Sequence, residues 1–334
     1  MNTESSCEAA FAKGGPFWHL YTDGEKMELI FTGLADFLFG IALLGLCAAR
    51  FPRCRILTFA IMSNHLHVIL AGPEEDVLAF FALFKERLSR YLASQQRYCR
   101  MQNFDAELFR IPDLRALRNE IIYVNRNGYV VSPDCTPFSY WWCAGMYFFN
   151  PMAALLPSRT IASLTIRELR AMFHCRDVEF PKHFRILEDF RPNPVEPSAP
   201  ILLPNSFCAI REAENYFRDA HQYFRRLGRD QEAFSEVARR LGDRIFLTDD
   251  ELFGAVCAFC AKDYDNPNPA LLPAAQKQEV ARRMHFDYNA SNKQIQRMLK
   301  LSSAAVDALF PKPAPTLPGP GSIHKNGQFC RQKT

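Results

Sequence analysis

Arg55–Ile56–Leu57–Thr58–Phe59–Ala60–Ile61–Met62–Ser63–Asn64–His65–Leu66–His67–Val68–Ile69–Leu70 is the stretch whose reading decides the fold. It holds two apolar runs that meet at a short polar turn, the pattern of two buried strands joined as a hairpin. The second run opens on His65–Leu66–His67. Alternate side chains of a strand share a face, so both imidazoles point one way and Leu66 points into the core. Two imidazoles on one rigid face make half of a metal site. The same triplet also suits a solvated or hydrogen-bonded pair, and taken alone it does not separate the two.

Outward from that hairpin, Pro16–Thr22 is an aromatic strand candidate, and Asp23–Gly24 is a turn signal. Residues 1–14 read as a loose arm. The apolar stretch Leu29–Cys47 contains Asp36, and Gly33, Gly40 and Gly45 interrupt it; its continuous apolar part is too short for a membrane span, so a buried helix over Gly33–Arg50 is expected. Ala71–Gly72–Pro73 closes the hairpin. A helix over Glu74–Arg100 follows, with Phe80, Phe81, Phe84, Leu88 and Leu92 on one side. Lys85, Arg87, Arg90, Arg97 and Arg100 lie on or near the other, either a solvated face or a phosphate-contacting surface. Met101–Pro112 reads as a loop. Asp113 can cap a helix that runs to Asn127 and ends at Gly128. Tyr123 and Asn127 are one turn apart and share a face of that helix. Tyr129 is a competing tyrosine, off that face and without an amide partner one turn on. Pro133–Trp142 is a rigid aromatic loop. The element order implies an α+β sandwich, an antiparallel sheet with packed helices, ending near residue 150.

With 334 residues the chain is longer than one core usually needs. Apolar content is 48%, enough for a sizeable core and against global disorder. The net charge of +4 permits nucleic-acid binding without arguing for it. The scattered cysteines and the absence of a secretory signal suit a reduced, cytoplasmic setting. Cys257–Ala258–Phe259–Cys260 has no second pair at zinc spacing and reads as core packing. The middle region is expected to be helical, with a capping box at Thr165–Glu168, a Pro-rich strap from Pro192 to Pro204, and helices over Asn205–Leu227 and Asp230–Leu241. It carries no evident chemistry. Further capping boxes stand at Thr248–Glu251 and Ser291–Gln294. A helix from Ser291, a turn at Lys300–Ser302 and a short helix to Phe310 outline a helix-turn-helix. Plain helical hairpins share that outline; Lys293, Arg297 and Lys300 add a basic surface. The expected organisation is 1–150, 151–247, 248–310, and a Pro/Gly-rich basic tail over 311–334.

Taken together, Met62–Leu70, Tyr123–Val124–Asn125–Arg126–Asn127, Trp18–Thr22 and Pro137–Phe138–Ser139–Tyr140–Trp141 resemble the single-tyrosine, His-hydrophobe-His (HUH) transposases, specifically the REP-associated tyrosine transposase branch. The resemblance covers about residues 16–145. It implies a ferredoxin-like HUH nuclease domain in which His65, His67 and Asn127 bind Mg²⁺ or Mn²⁺ and Tyr123 is the nucleophile. Its substrate would be single-stranded DNA with hairpin-forming repeats, cleaved and rejoined through a 5′-phosphotyrosine. Lys85, Arg87, Arg90, Arg97 and Arg126 would contact that DNA. The C-terminal helices look like the replication-initiator type of helix-turn-helix, with Lys293, Arg297 and Lys300 on duplex DNA. The protein would be a monomer or homodimer on the nucleoid, with no membrane partner. Two departures stand out: Ser63 where the family has Pro, and Gly128 directly after Asn127 where the family has Pro. They leave open a domesticated DNA-binding protein or regulator that keeps the fold without the chemistry.

Overall fold

The structure is a computed structural model describing residues 3–27, 29–97, 99, 101–130, 136, 138–173, 180–192, 196–229, 237, 240, 249–288 and 290–311. The expected helix over Asp230–Leu241 falls largely outside these residues. Arg100, Pro133–Cys135, Thr248 and the tail from 312 lie outside them as well, as does the side chain of Tyr129. The chain forms two compact units, Met1–Thr248 and Asp249–Thr334, so the expected connecting region 151–247 belongs to the first.

The first unit runs α1 (Glu4–Gly14), β1 (Phe17–Thr22), α2 (Leu34–Arg50), β2 (Arg55–Ile61), β3 (Leu66–Ala71), α3 (Glu74–Ser94), β4 (Ala106–Ile111) and α4 (Leu114–Val130). The four strands make one sheet in the order β2-β3-β1-β4, every neighbour antiparallel. The fold class is therefore α+β with an antiparallel sheet. Ile56, Leu57, Phe59, Ala60 and Ile61 of β2 and Leu66, Val68, Ile69 and Leu70 of β3 have no exposed surface. A strand covered on both faces reads as a continuous apolar run rather than an alternating one, and each buried Ile, Leu, Val or Phe among them contributes about 1.5–3 kcal/mol. Register fixes the faces. Ala60 and Tyr21 pair with His67, and His19 with Ile69, so Ala60, Tyr21, His19 and His67 all point to one side. Ile61 points to the other, where it meets Gly40 of α2. That second side carries α2 and α3, which pack together through the stacked rings of Phe39 and Tyr91, 4.0 Å apart. The first side carries α4.

Several expectations need correction. Of the expected loose arm over 1–14, residues 3–14 are ordered: Thr3 caps α1, and Arg118 of α4 holds Glu4 at 2.6 Å. The stretch expected as a loop over Met101–Pro112 contains β4, an edge strand whose half-exposed, mixed sequence carries little apolar signal. Helix α3 ends at Ser94, short of Arg100. Helix α4 does not stop at Gly128 but runs on to Val130; Gly128 lies against the ring of Tyr140, where a side chain would clash, so the glycine serves close packing rather than a helix end. The middle region is not wholly helical. It forms a second, three-stranded sheet in the order β5 (Arg159–Thr160), β6 (Arg185–Phe190), β7 (Ala199–Leu202). Part of the expected Pro-rich strap is β7. The helix expected over Asn205–Leu227 is broken into α6 (Ile210–Glu214) and α7 (Ala220–Arg229), after a short α5 (Ile166–Phe173). The Thr165–Glu168 capping box is present: Glu168 accepts from the Thr165 backbone at 2.7 Å.

The second unit has helices over Asp249–Tyr264, Ala274–Asp287, Asn292–Leu299 and Ser303–Leu309. Ser291 and Gln294 make the expected reciprocal cap. Lys300 turns the chain in the left-handed region, with φ 49°, and Ser302 caps the last helix. Asn292 bridges to Asp307 at 2.8 Å and to the Phe310 carbonyl at 3.1 Å, locking the last two helices together. Cys257 and Cys260 are free thiols, Cys260 buried. Among the described residues no helix is long and apolar enough to cross a membrane.

Asp36, in the first turn of α2, anchors the α2–α3 side. It accepts from the Thr32 backbone N–H at 2.8 Å, the Thr32 hydroxyl at 2.9 Å, Tyr91 Oη at 3.1 Å and Arg97 Nη1 at 2.6 Å. Burial pushes its pKa up, but these hydrogen bonds and the Arg97 charge outweigh it and hold the carboxyl below its ordinary 3.8. A depressed carboxyl contributes stability above its unfolded pKa and loses it as pH falls through the folded value. Asp36→Ala should lower unfolding free energy by about 2–3 kcal/mol in urea at neutral pH. Wild type should also lose stability more steeply than Asp36→Asn between about pH 4 and pH 2. Parallel curves would show that the carboxylate is not ionised in the fold.

Candidate active site

Strand β3 places His67 in the middle of the sheet and His65 at its entrance. Helix α4 crosses that face and sets Tyr123 against them. The ring centroids of His65 and His67 are 5.0 Å apart, those of His67 and Tyr123 5.4 Å, meeting edge to face. The strand pair and the helix residue singled out separately in the sequence therefore meet. His67 has no exposed surface, Tyr123 is 1% exposed and Asn127 9%; His65 is half-buried. Tyr123 and His67 are therefore closed off from solvent.

The hydrogen bonds of the two imidazoles set their tautomers. Asn64 donates its Nδ2 to the Gly24 carbonyl at 2.7 Å, which leaves its Oδ1 facing His65 Nδ1 at 2.8 Å. An amide oxygen only accepts, so His65 carries its proton on Nδ1 and a lone pair on Nε2. Gly24 presses on the same ring: a Cβ there would lie 2.8 Å from His65 Nδ1. His67 Nδ1 lies 3.1 Å from His19 Nε2, and His19 Nδ1 lies 2.8 Å from Glu120 Oε2. Arg240 closes the row. Its guanidinium pairs with Glu120 Oε1 and sits 3.9 Å over the Phe109 ring. Both His19 and Glu120 have no exposed surface. Burial, and then the neighbouring imidazoles, push the His67 pKa well below its usual value, so the ring is neutral.

His19, Glu120 and Arg240 escaped the sequence reading. His19 is a lone histidine on an aromatic strand, and only the β1–β3 pairing brings it to His67. Glu120 had a faint signal, since it stands one turn before Tyr123 on the same face of α4.

The donor set fits a hard or borderline divalent cation in part. Two neutral imidazoles with their Nδ1 atoms engaged, as in metal-ligating histidines, suit it. The amide oxygen of Asn127 is of a donor type that suits it too, whereas its buried Nδ2, without a hydrogen-bond partner among the described residues, is an N–H donor and does not bind a cation. Among the described residues no group of three His, Cys, Asp or Glu side chains could hold a metal.

The basic residues divide. Arg126 is wholly buried and donates to the Leu227 carbonyl at 2.5 Å, so it ties α4 to α7 and is no DNA contact. Arg97 is engaged by Asp36 and by the Ile30 carbonyl at 2.6 Å. Lys85 lies 3.5 Å from Asp105 and Arg90 2.6 Å from Glu86, and Arg87 is half-buried. All are on or just after α3, across the sheet from Tyr123, so they do not line its site. Lys293, Arg297 and Lys300 are exposed on the second unit. No protein-family model, no curated protein and no solved structure matches the chain.

Burial pushes the His65 pKa from 6.5 down to about 4, against a small opposing effect of Asp23. The unfolded chain therefore takes this proton first as pH falls, and stability declines from about pH 6.5 toward pH 4. An NMR titration of the His65 Cε1–H signal should show a midpoint near 4. A midpoint above about 6 would show a solvated ring.

Proposed function

We propose that the chain is a metal-dependent strand transferase of the single-tyrosine HUH type, acting on single-stranded DNA with hairpin-forming repeats. The observation that carries this reading is the meeting of His65 and His67 with Tyr123, drawn from a strand and a helix far apart in sequence. The β-α-β-β-α-β order of the first unit supports a ferredoxin-like nuclease domain. In this reading Tyr123 Oη attacks the phosphorus of a phosphodiester, the P–O3′ bond breaks, and the departing 3′ oxygen takes up a proton. The DNA 5′ end stays on Tyr123 as a phosphate ester, which a second 3′-hydroxyl reverses without an external energy source. His65, His67 and Asn127 would hold Mg²⁺ or Mn²⁺, which supplies positive charge at the scissile phosphate. Neutral imidazoles and a neutral amide leave that charge undiminished.

The second unit would bring the enzyme to duplex DNA. Lys293 and Arg297 stand on the helix Asn292–Leu299 and Lys300 on the turn after it, whereas Ser303–Leu309 has no Lys or Arg. They would contact phosphates more than base edges. A second reading, a non-catalytic DNA-binding protein or regulator, draws on the burial of Tyr123 at 1% exposure.

The test is a denaturing gel with a labelled single-stranded hairpin oligonucleotide and Mn²⁺. Wild type should give a denaturant-resistant protein–DNA band, absent from Tyr123→Phe and from His65→Ala. Bound but uncut DNA in all three selects the non-catalytic reading; cleavage without an adduct selects a phosphodiesterase. Independently, Arg297→Glu should weaken duplex binding across sequences and reduce the salt slope by about one unit, with no change if the surface is merely solvated.

A further inference from the structure

We propose that Glu120 and His19 are positioning residues that set which nitrogen of His67 carries the proton, with Arg240 fixing the direction of the chain. The inference rests on the reading of His67 as a metal ligand, but the proton arrangement is a property of the metal-free protein.

The row Arg240–Glu120–His19–His67 is continuous: the Arg240 guanidinium on Glu120 Oε1, then Glu120 Oε2 to His19 Nδ1 at 2.8 Å, then His19 Nε2 to His67 Nδ1 at 3.1 Å. Each link has limited chemistry. A guanidinium only donates. Opposite it, Glu120 is held as a carboxylate, which only accepts. His19 Nδ1 must therefore carry the proton. The Arg240 and Glu120 charges balance, so the buried His19 is neutral and its Nε2 is a lone pair. The hydrogen bond to His67 is then satisfied only if His67 Nδ1 donates. His67 then has its lone pair on Nε2, the nitrogen that would ligate a cation in this reading. On its other side, Asn64 does the same for His65 through a single amide. The two ligands of one site are thus oriented by different devices, a carboxylate reached through an intermediate imidazole and a backbone-anchored Asn.

Glu120→Gln is the discriminating change, because it keeps shape and removes the acceptor-only character. Arg240 claims the one amide oxygen, so the amide NH₂ faces His19 Nδ1. Every donor and acceptor down the row then reverses, and His67 Nε2 becomes N–H. Side-chain ¹⁵N NMR of the metal-free protein reads this directly. In wild type, His67 and His19 should both be the Nδ1–H tautomer; in Glu120→Gln both should be Nε2–H. Mn²⁺ affinity measured by calorimetry should fall by about 10–100-fold in the variant. A wild-type His67 found as Nε2–H or as imidazolium overturns the inference, with or without metal binding. So does an unchanged tautomer in a folded Glu120→Gln protein. A switch in tautomer in protein that never binds Mn²⁺ upholds the row and sinks the metal-dependent function instead. The wild-type spectrum alone decides the tautomer if the variant does not fold.

Discussion

The constraint on which the first unit depends is a row of polar side chains buried between the sheet and α4. His19, His67 and Glu120 have no exposed surface and sit on the face of the sheet that α4 covers. A buried polar group without a partner costs about 1–3 kcal/mol, so each must find one inside the protein. The solution fixes much else. Strand β1 must lie between β3 and β4, so that His19 stands beside His67. Helix α4 must cross at the height that gives Glu120 to His19 and Tyr123 to His67. The residues that look chemically useful are thus also the ones that set the register of sheet against helix.

Helix α4 has a second side with the same problem. Arg118 donates to the Tyr216 carbonyl at 2.5 Å, Asn125 bridges Thr58 of β2 to Tyr223, and Arg126 reaches the Leu227 carbonyl. A helix this polar is buried because residues 204–229 bring carbonyls and hydroxyls to it. The middle region therefore completes the first unit rather than linking two others. Arg55 of β2 adds to this by gripping Glu212 through two nitrogens, at 2.8 and 2.9 Å.

The second unit is built differently, from short helices whose ends are specified locally. Ser291, Gln294 and Ser302 satisfy helix-start N–H groups, and Lys300 accepts a left-handed conformation to shorten the turn. Ile295, Leu299 and Val306 then meet Val280, Ala281 and Met284 in a small core of wholly buried side chains. Lys293, Arg297 and Lys300 stay on the unit's surface, outside that core.

The sequence by itself determined the hairpin β2–β3, the helices α2 to α4, the capping boxes at Thr165 and Ser291, and the last two helices. These features rest on local periodicity, caps and turns, and nearest neighbours in the chain carry that information. It also determined that His65 and His67 share a face and that Tyr123 and Asn127 share another. It missed β4, whose edge position lets it be half polar, and the small second sheet, whose short strands have no period to read. It misjudged Arg126, because a guanidinium reads as a surface group until a carbonyl from a distant segment is seen to receive it. Tertiary structure alone decided that the histidine face and the tyrosine face meet, that His19 and Glu120 stand behind His67, and that the site is closed. Each of these depends on strand order and on which segment covers α4, and such contacts between residues distant in sequence leave no periodic trace along the chain.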